Sequence, residues 1–97
     1  MNVVYHRHFQ KDINTAVRYY DGEGGQILGD RLFDEVERTV GRVILRPTAC
    51  HFIAPGFRRA NLKSFPYHLI YEESPTKIKF LILRHNRRHP SYGLRRK

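Results

Sequence analysis

The residues best suited to chemistry crowd into one stretch near the C-terminus, Arg84-His85-Asn86-Arg87-Arg88-His89-Pro90-Ser91-Tyr92. Imidazole and phenol groups can move protons, and guanidinium forks grip phosphate or carboxylate oxygens through parallel N–H donors. Metal-independent RNA cleavage needs a base for the 2′-hydroxyl, an acid for the 5′-leaving oxygen and cations for the developing phosphorane charge. His85 or Tyr92 would transfer the protons in such a site, with Arg58 and Arg87 as clamps. Binding without catalysis asks for less. Arg58, Arg59, Lys63, Arg84, His85, Arg87 and Arg88 would then form a cationic surface for an anionic target. A plainer account also holds, in which His85 closes the end of a sheet and the arginines are solvated.

The charge distribution supports a role for these cations. Residues 1–56 carry seven Lys/Arg against seven Asp/Glu, whereas residues 57–97 carry eleven against only Glu72 and Glu73. The whole net charge of +9 therefore belongs to the second half. A field of one sign on one half of a small protein attracts polyanions, either nucleic acid or an acidic protein segment.

Other chemistries have less to stand on. The six histidines are scattered, without the close Cys/His spacing of a zinc site, and no metal or cofactor is implied. Gly22, Gly24 and Gly25 lie between helical patterns, so they cannot form a phosphate loop that follows a strand. Cys50, the only cysteine, forms no internal disulfide, fits a reducing cytoplasm and reads as an inert thiol. No apolar run approaches the ~20 residues a membrane span requires. Asp12 and Asp21 read as lone helix carboxylates. Asp34, Glu35 and Glu37 read as a solvated face paired with nearby arginines.

These groups need elements to carry them, and 97 residues leave room for one domain. Val3, Val4 and Tyr5 open with a short strand. Phe9, Ile13, Ala16, Val17 and Tyr20 mark one helical face between His8 and Asp21. After the glycines, Leu28, Leu32, Val36, Val40, Val43 and Ile44 mark a second helix, with Phe33 beside the stripe, ending before Pro47. A short glycine turn predicts an antiparallel helical hairpin. Thr48 to Gly56 reads as loop. The period then changes to two, giving strands at Phe57–Leu62, Phe65–Tyr71 and Ile78–Leu83, with a polar turn at Glu72–Thr76. The last strand is apolar throughout, as expected for a central strand covered on both faces. The fold class is α+β: an N-terminal strand, then a helical hairpin packed on an antiparallel sheet, then a basic tail from about residue 90. Tyr92 lies beyond Pro90, in a terminus expected to be mobile.

The strand Phe65-Pro66-Tyr67-His68-Leu69-Ile70-Tyr71, followed by His85-Asn86-Arg87-Arg88-His89-Pro90, resembles the RelE/ParE superfamily of bacterial toxins. Arg58-Arg59-Ala60-Asn61-Leu62 and the order of the elements extend the resemblance over nearly the whole chain. It implies a toxin of a type II toxin-antitoxin module, held in check by a cognate acidic antitoxin in a toxin-antitoxin hetero-oligomer. Members either cut messenger RNA on the ribosome or, when ParE-like, poison DNA gyrase. The RNA-cutting members carry lysines or a carboxylate between the second helix and the following strands, where this chain reads Thr48-Ala49-Cys50-His51-Phe52-Ile53-Ala54. The resemblance therefore favours a ParE-like, non-nucleolytic gyrase inhibitor, with the ribosome-dependent endoribonuclease as the second reading.

Overall fold

The computed structural model describes residues 1–96; Lys97, the last residue of the expected domain, lies outside the described residues. Seven elements follow one another as β1 (Asn2–Tyr5), α1 (Phe9–Gly24), α2 (Gln26–Leu45), β2 (Phe52–Ala54), β3 (Phe57–Asn61), β4 (Tyr67–Glu73) and β5 (Lys77–His85). They build a five-stranded sheet in the order β1-β5-β4-β3-β2, with the helical hairpin packed on one face. The sheet is mixed. The pairs from β2 to β5 are antiparallel, as the alternating pattern implied, but β1 runs parallel to β5, with Val3 opposite Ile78 and Tyr5 opposite Phe80.

Only Gly25 separates the helices, at φ 82°, a conformation that costs glycine little and L side chains considerably more. Helix α1 therefore runs through Gly22 and Gly24, past the break expected at Asp21. Helix α2 also turns further than its apolar stripe indicated. Its buried side is Gly29, Leu32, Glu35, Val36, Thr39 and Val43, while Phe33 and Ile44 remain 40% and 39% exposed. Glu35 is thus a correction to the solvated face. Its two carboxylate oxygens accept from the Ser64 amide at 3.2 and 3.0 Å, which tethers the β3–β4 loop to the helix. The stretch read as loop after α2 likewise contains β2, a short edge strand against β3.

Strand β5 is covered on both faces. Ile78, Phe80 and Leu83 face the helices with Leu69 and Tyr71, whereas Leu81 and Ile82 form a smaller cluster with Ile70 on the far side. A register shift lets both Leu81 and Ile82 take the far face, because Tyr71 pairs with Phe80 while Ile70 pairs with Ile82. Ile53, Phe57 and Leu94 cover that second cluster, and Leu94 comes from the segment beyond Pro90.

Those C-terminal residues are docked, which corrects the expectation of a mobile tail. Strand β1 ends at Tyr5, so that edge of β5 beyond Phe80 has no strand partner among the described residues. Its backbone groups must bond elsewhere. The Leu83 amide donates to the Asp12 carboxylate at 3.2 Å, and the Arg96 guanidinium donates to the Leu81 carbonyl at 2.8 Å. Arg96 and Asp12 then pair with each other, two nitrogens to two oxygens. Gly93 lets this segment lie flat on the sheet: it sits at φ 82°, and a Cβ there would come within 2.3 Å of Ile82.

Candidate functional site

The end of β5 sends its side chains to two faces. His85 lies on the helix side, edge-on to Tyr67 with ring centroids 5.0 Å apart, because Tyr67 is its partner across the β4–β5 ladder. Arg84, one residue earlier, lies on the far face and is buried. Its Nε donates to His68 Nε2 at 2.9 Å, and its NH1 donates to the carbonyls of Pro90 and Tyr92 at 2.7 and 3.0 Å. With Nε2 of His68 accepting, Nδ1 carries the proton and donates to Asn86 Oδ1 at 2.7 Å. Burial chiefly lowers the His68 pKa to about 4, with Arg59, Arg84 and His85 adding to the shift and the Asn86 bond opposing it. His68 is therefore neutral near neutral pH and serves as an acceptor for Arg84. Asn86 also receives Arg59 NH2 at 3.4 Å, and Arg59 Nε donates to Asn61 Oδ1 at 2.7 Å. This far-face network fixes the route of the chain from His85 to Tyr92.

On the helix side an open cleft of about 370 Å³ lies between α1 and the end of β5. His85, Arg88 and Tyr92 reach it from the C-terminal segment, Tyr67 from β4, and Lys11, Thr15 and Tyr19 from α1. The Arg88 guanidinium lies over the Tyr92 ring, 4.4 Å from its centroid. His85 Nδ1 accepts from the Arg87 amide at 3.0 Å, so in the neutral ring Nε2 bears the proton and acts as a donor. Burial raises the Tyr67 pKa, with Tyr20 and Tyr19 adding, so its phenol stays protonated.

The seven cation-site residues do not form one cluster. Arg59, Arg84, His85, Arg87 and Arg88 gather at the end of β5, but Arg84 is committed to the fold. Arg58 stands apart. It pairs with Glu73 at 3.2 Å, donates to the carbonyls of Thr48 and Cys50, and lies 3.9 Å from the Phe52 ring centroid. It sits opposite Tyr71 while His85 sits opposite Tyr67, a separation of four residues, or about 13 Å along the strand. All these partners lie outside the C-terminal segment, so Arg58 locks the loop after α2 to the sheet. Lys63 faces a different cleft, beside Arg38 and Arg42 of α2. The residues missed from sequence are Lys11, Tyr19, Tyr67, His68 and Asn86. Lys11, Thr15 and Tyr19 did carry a signal, the i, i+4, i+8 spacing that stacks side chains on one helical face.

The family profile described as "ParE toxin of type II toxin-antitoxin system, parDE" matches residues 3–90. The chain belongs to the ParE toxin family. The fold agrees: the structure titled "Chromosomal ParDE TA system from P. aeruginosa" is similar with a TM-score of 0.78, at 15% sequence identity, over 88% of this chain and 95% of that one. No curated protein matches in sequence. For this ParE-family chain the matched segment includes the helical hairpin, β1 from Val3 onward, the other four strands and Arg87 and Arg88, and ends before Tyr92. Among the described residues, no helix is long and apolar enough to cross a membrane.

Proposed function

We propose that this ParE-family toxin acts by binding DNA gyrase through the cationic end of β5, and that a cognate acidic antitoxin neutralises it. Arg87 and Arg88 are exposed, and neither has a carboxylate partner among the described residues. Arg59 lies at the same end of the sheet. Such a surface attracts an anionic partner over distance and tolerates small misplacements, whereas proton transfer demands fixed geometry. Encounter with an acidic antitoxin segment would use the same attraction, and its folding would cover apolar surface such as the groove beside Tyr5 and Phe33.

The observation that carries this reading over mRNA cleavage is the hydrogen bond from the Arg87 amide to His85 Nδ1. It occupies the acceptor nitrogen of the neutral ring and leaves a donor at the other. His85 is thereby poorly placed as a base for a 2′-hydroxyl. The test pairs gyrase supercoiling with ribosome-dependent mRNA cleavage, each on purified protein. Arg87→Ala combined with Arg88→Ala should abolish growth inhibition and gyrase inhibition while the circular dichroism spectrum is unchanged. Tyr92→Phe, which keeps the ring under Arg88, should leave both intact. Cleavage of ribosome-bound mRNA by the wild-type protein, lost in Tyr92→Phe, would establish the nuclease reading instead.

A further inference from the structure

We propose that the cleft between α1 and the end of β5 binds a nucleotide, its phosphate held between Lys11 and Arg88 and its base against the rings of Tyr19 and Tyr67. This is a property of the pocket and does not rest on gyrase as the target. The electrostatics come first. Asp12 is the one carboxylate in the lining among the described residues, and its pairing with Arg96 cancels its charge. Lys11 and Arg88 also line the cleft, and neither has a carboxylate partner among the described residues. The pocket is thus positive and built for an anion. Stacking on Tyr92 orients the Arg88 guanidinium and leaves its edge donors free.

The donors facing the cleft suit phosphate oxygens. His85 presents its Nε2–H because its Nδ1 is engaged by the Arg87 amide. The Tyr67 phenol makes no hydrogen bond to another described residue, and burial keeps it protonated as a further donor. Aromatic walls distinguish a nucleotide from a simple anion. Tyr19 is 57% exposed, so its ring is accessible, and it stands two turns along α1 from Lys11. Aromatic faces that stack a base beside cations that hold its phosphate are a recurrent means of binding the unpaired nucleotides of single strands. The cleft volume of about 370 Å³ also lies within the range of small-ligand sites, roughly 300–1,000 Å³.

The experiment is titration of the full chain with AMP at low ionic strength, followed by amide NMR shifts and calorimetry. Shifts should concentrate at Lys11, Tyr19, Tyr67, His85 and Arg88. Lys11→Met and Arg88→Met should each weaken AMP binding about tenfold or more, and Tyr19→Ala should do likewise. Arg31→Met, which removes one exposed charge on α2, should leave it unchanged. A 5′-phosphorylated trinucleotide separates two sources of the same chemistry. Tighter binding than AMP marks a strand end as ligand and equal binding marks a free nucleotide, and either outcome upholds the pocket. Inorganic phosphate binding as tightly as AMP would overturn the proposal, since the rings would then contribute nothing. So would an Arg31→Met loss equal to that of Lys11→Met, or the absence of any shift at millimolar AMP.

Discussion

Replacing Asp12 by alanine tests whether the C-terminal segment is part of the fold. The carboxylate accepts from the Leu83 amide at 3.2 Å and pairs with Arg96, and the two side chains are 13% and 15% exposed. Removing one partner of a buried pair costs about 3–5 kcal/mol, because the other charge is left without compensation. Arg96 is already partly exposed and can turn toward water, which favours the lower figure. The Leu83 amide has no such escape, since Leu83 is buried in β5, and an unpaired buried donor costs about 1–3 kcal/mol. A loss of about 3 kcal/mol is expected, the lower figure for the pair, with the orphaned amide making up most of it. For a domain of this size it corresponds to a fall in Tm of roughly 12–24 °C. Arg96→Ala should be milder, about 1–2 kcal/mol, since Asp12 keeps its backbone donor and hydrates when the segment leaves. Urea unfolding followed by circular dichroism gives both values, and the double variant completes a cycle that isolates the coupling. A loss below about 1 kcal/mol for Asp12→Ala, additive with Arg96→Ala, would refute the docked segment.

Acid should destabilise the protein through His68, whose folded pKa of about 4 lies below its ordinary 6.5. Between those values the unfolded chain holds a proton that the folded one does not. Stability is therefore complete above pH 6.5 and falls, by at most about 3 kcal/mol, as pH drops to about 4. His6 is lowered by burial and then by Arg96, and acts in the same sense. His68→Gln should flatten the slope of unfolding free energy against pH in that window, and an unchanged slope would reject the assignment. Glu35→Ala should cost about 1–3 kcal/mol by orphaning the Ser64 amide, while exposed Glu37→Ala should stay within about 0.5 kcal/mol in the same denaturation assay.

Local pattern was enough to read the hairpin, the strand sequence and the buried β5, because a period of 3.6 or 2 is set by the backbone itself. The family resemblance was legible for a similar reason, in the contiguous strand Phe65–Tyr71 and the His85–Pro90 segment. The parallel docking of β1 and the edge strand Phe52–Ala54 were not, since short strands depend on what they pair with. The candidate site depended on still longer connections. Neighbours in sequence, Arg58 and Arg59 project to opposite faces, so one locks a loop while the other joins the end of β5. Glu35 and Asp12 looked like solvent-facing carboxylates, yet each caps backbone amides delivered from far along the chain, Ser64 and Leu83. Sequence spacing cannot reveal such partners, because a side chain of either kind is equally compatible with water until the sheet edge arrives beside it. The sequence by itself determined which residues carry charge, which stretches are periodically apolar and where the second helix stops. The tertiary structure alone decided which cations remain free to bind, because a guanidinium whose Nε and NH1 are held by His68 and two carbonyls, as in Arg84, has most of its donors in the fold, and one without such bonds, as in Arg88, still offers them to a ligand.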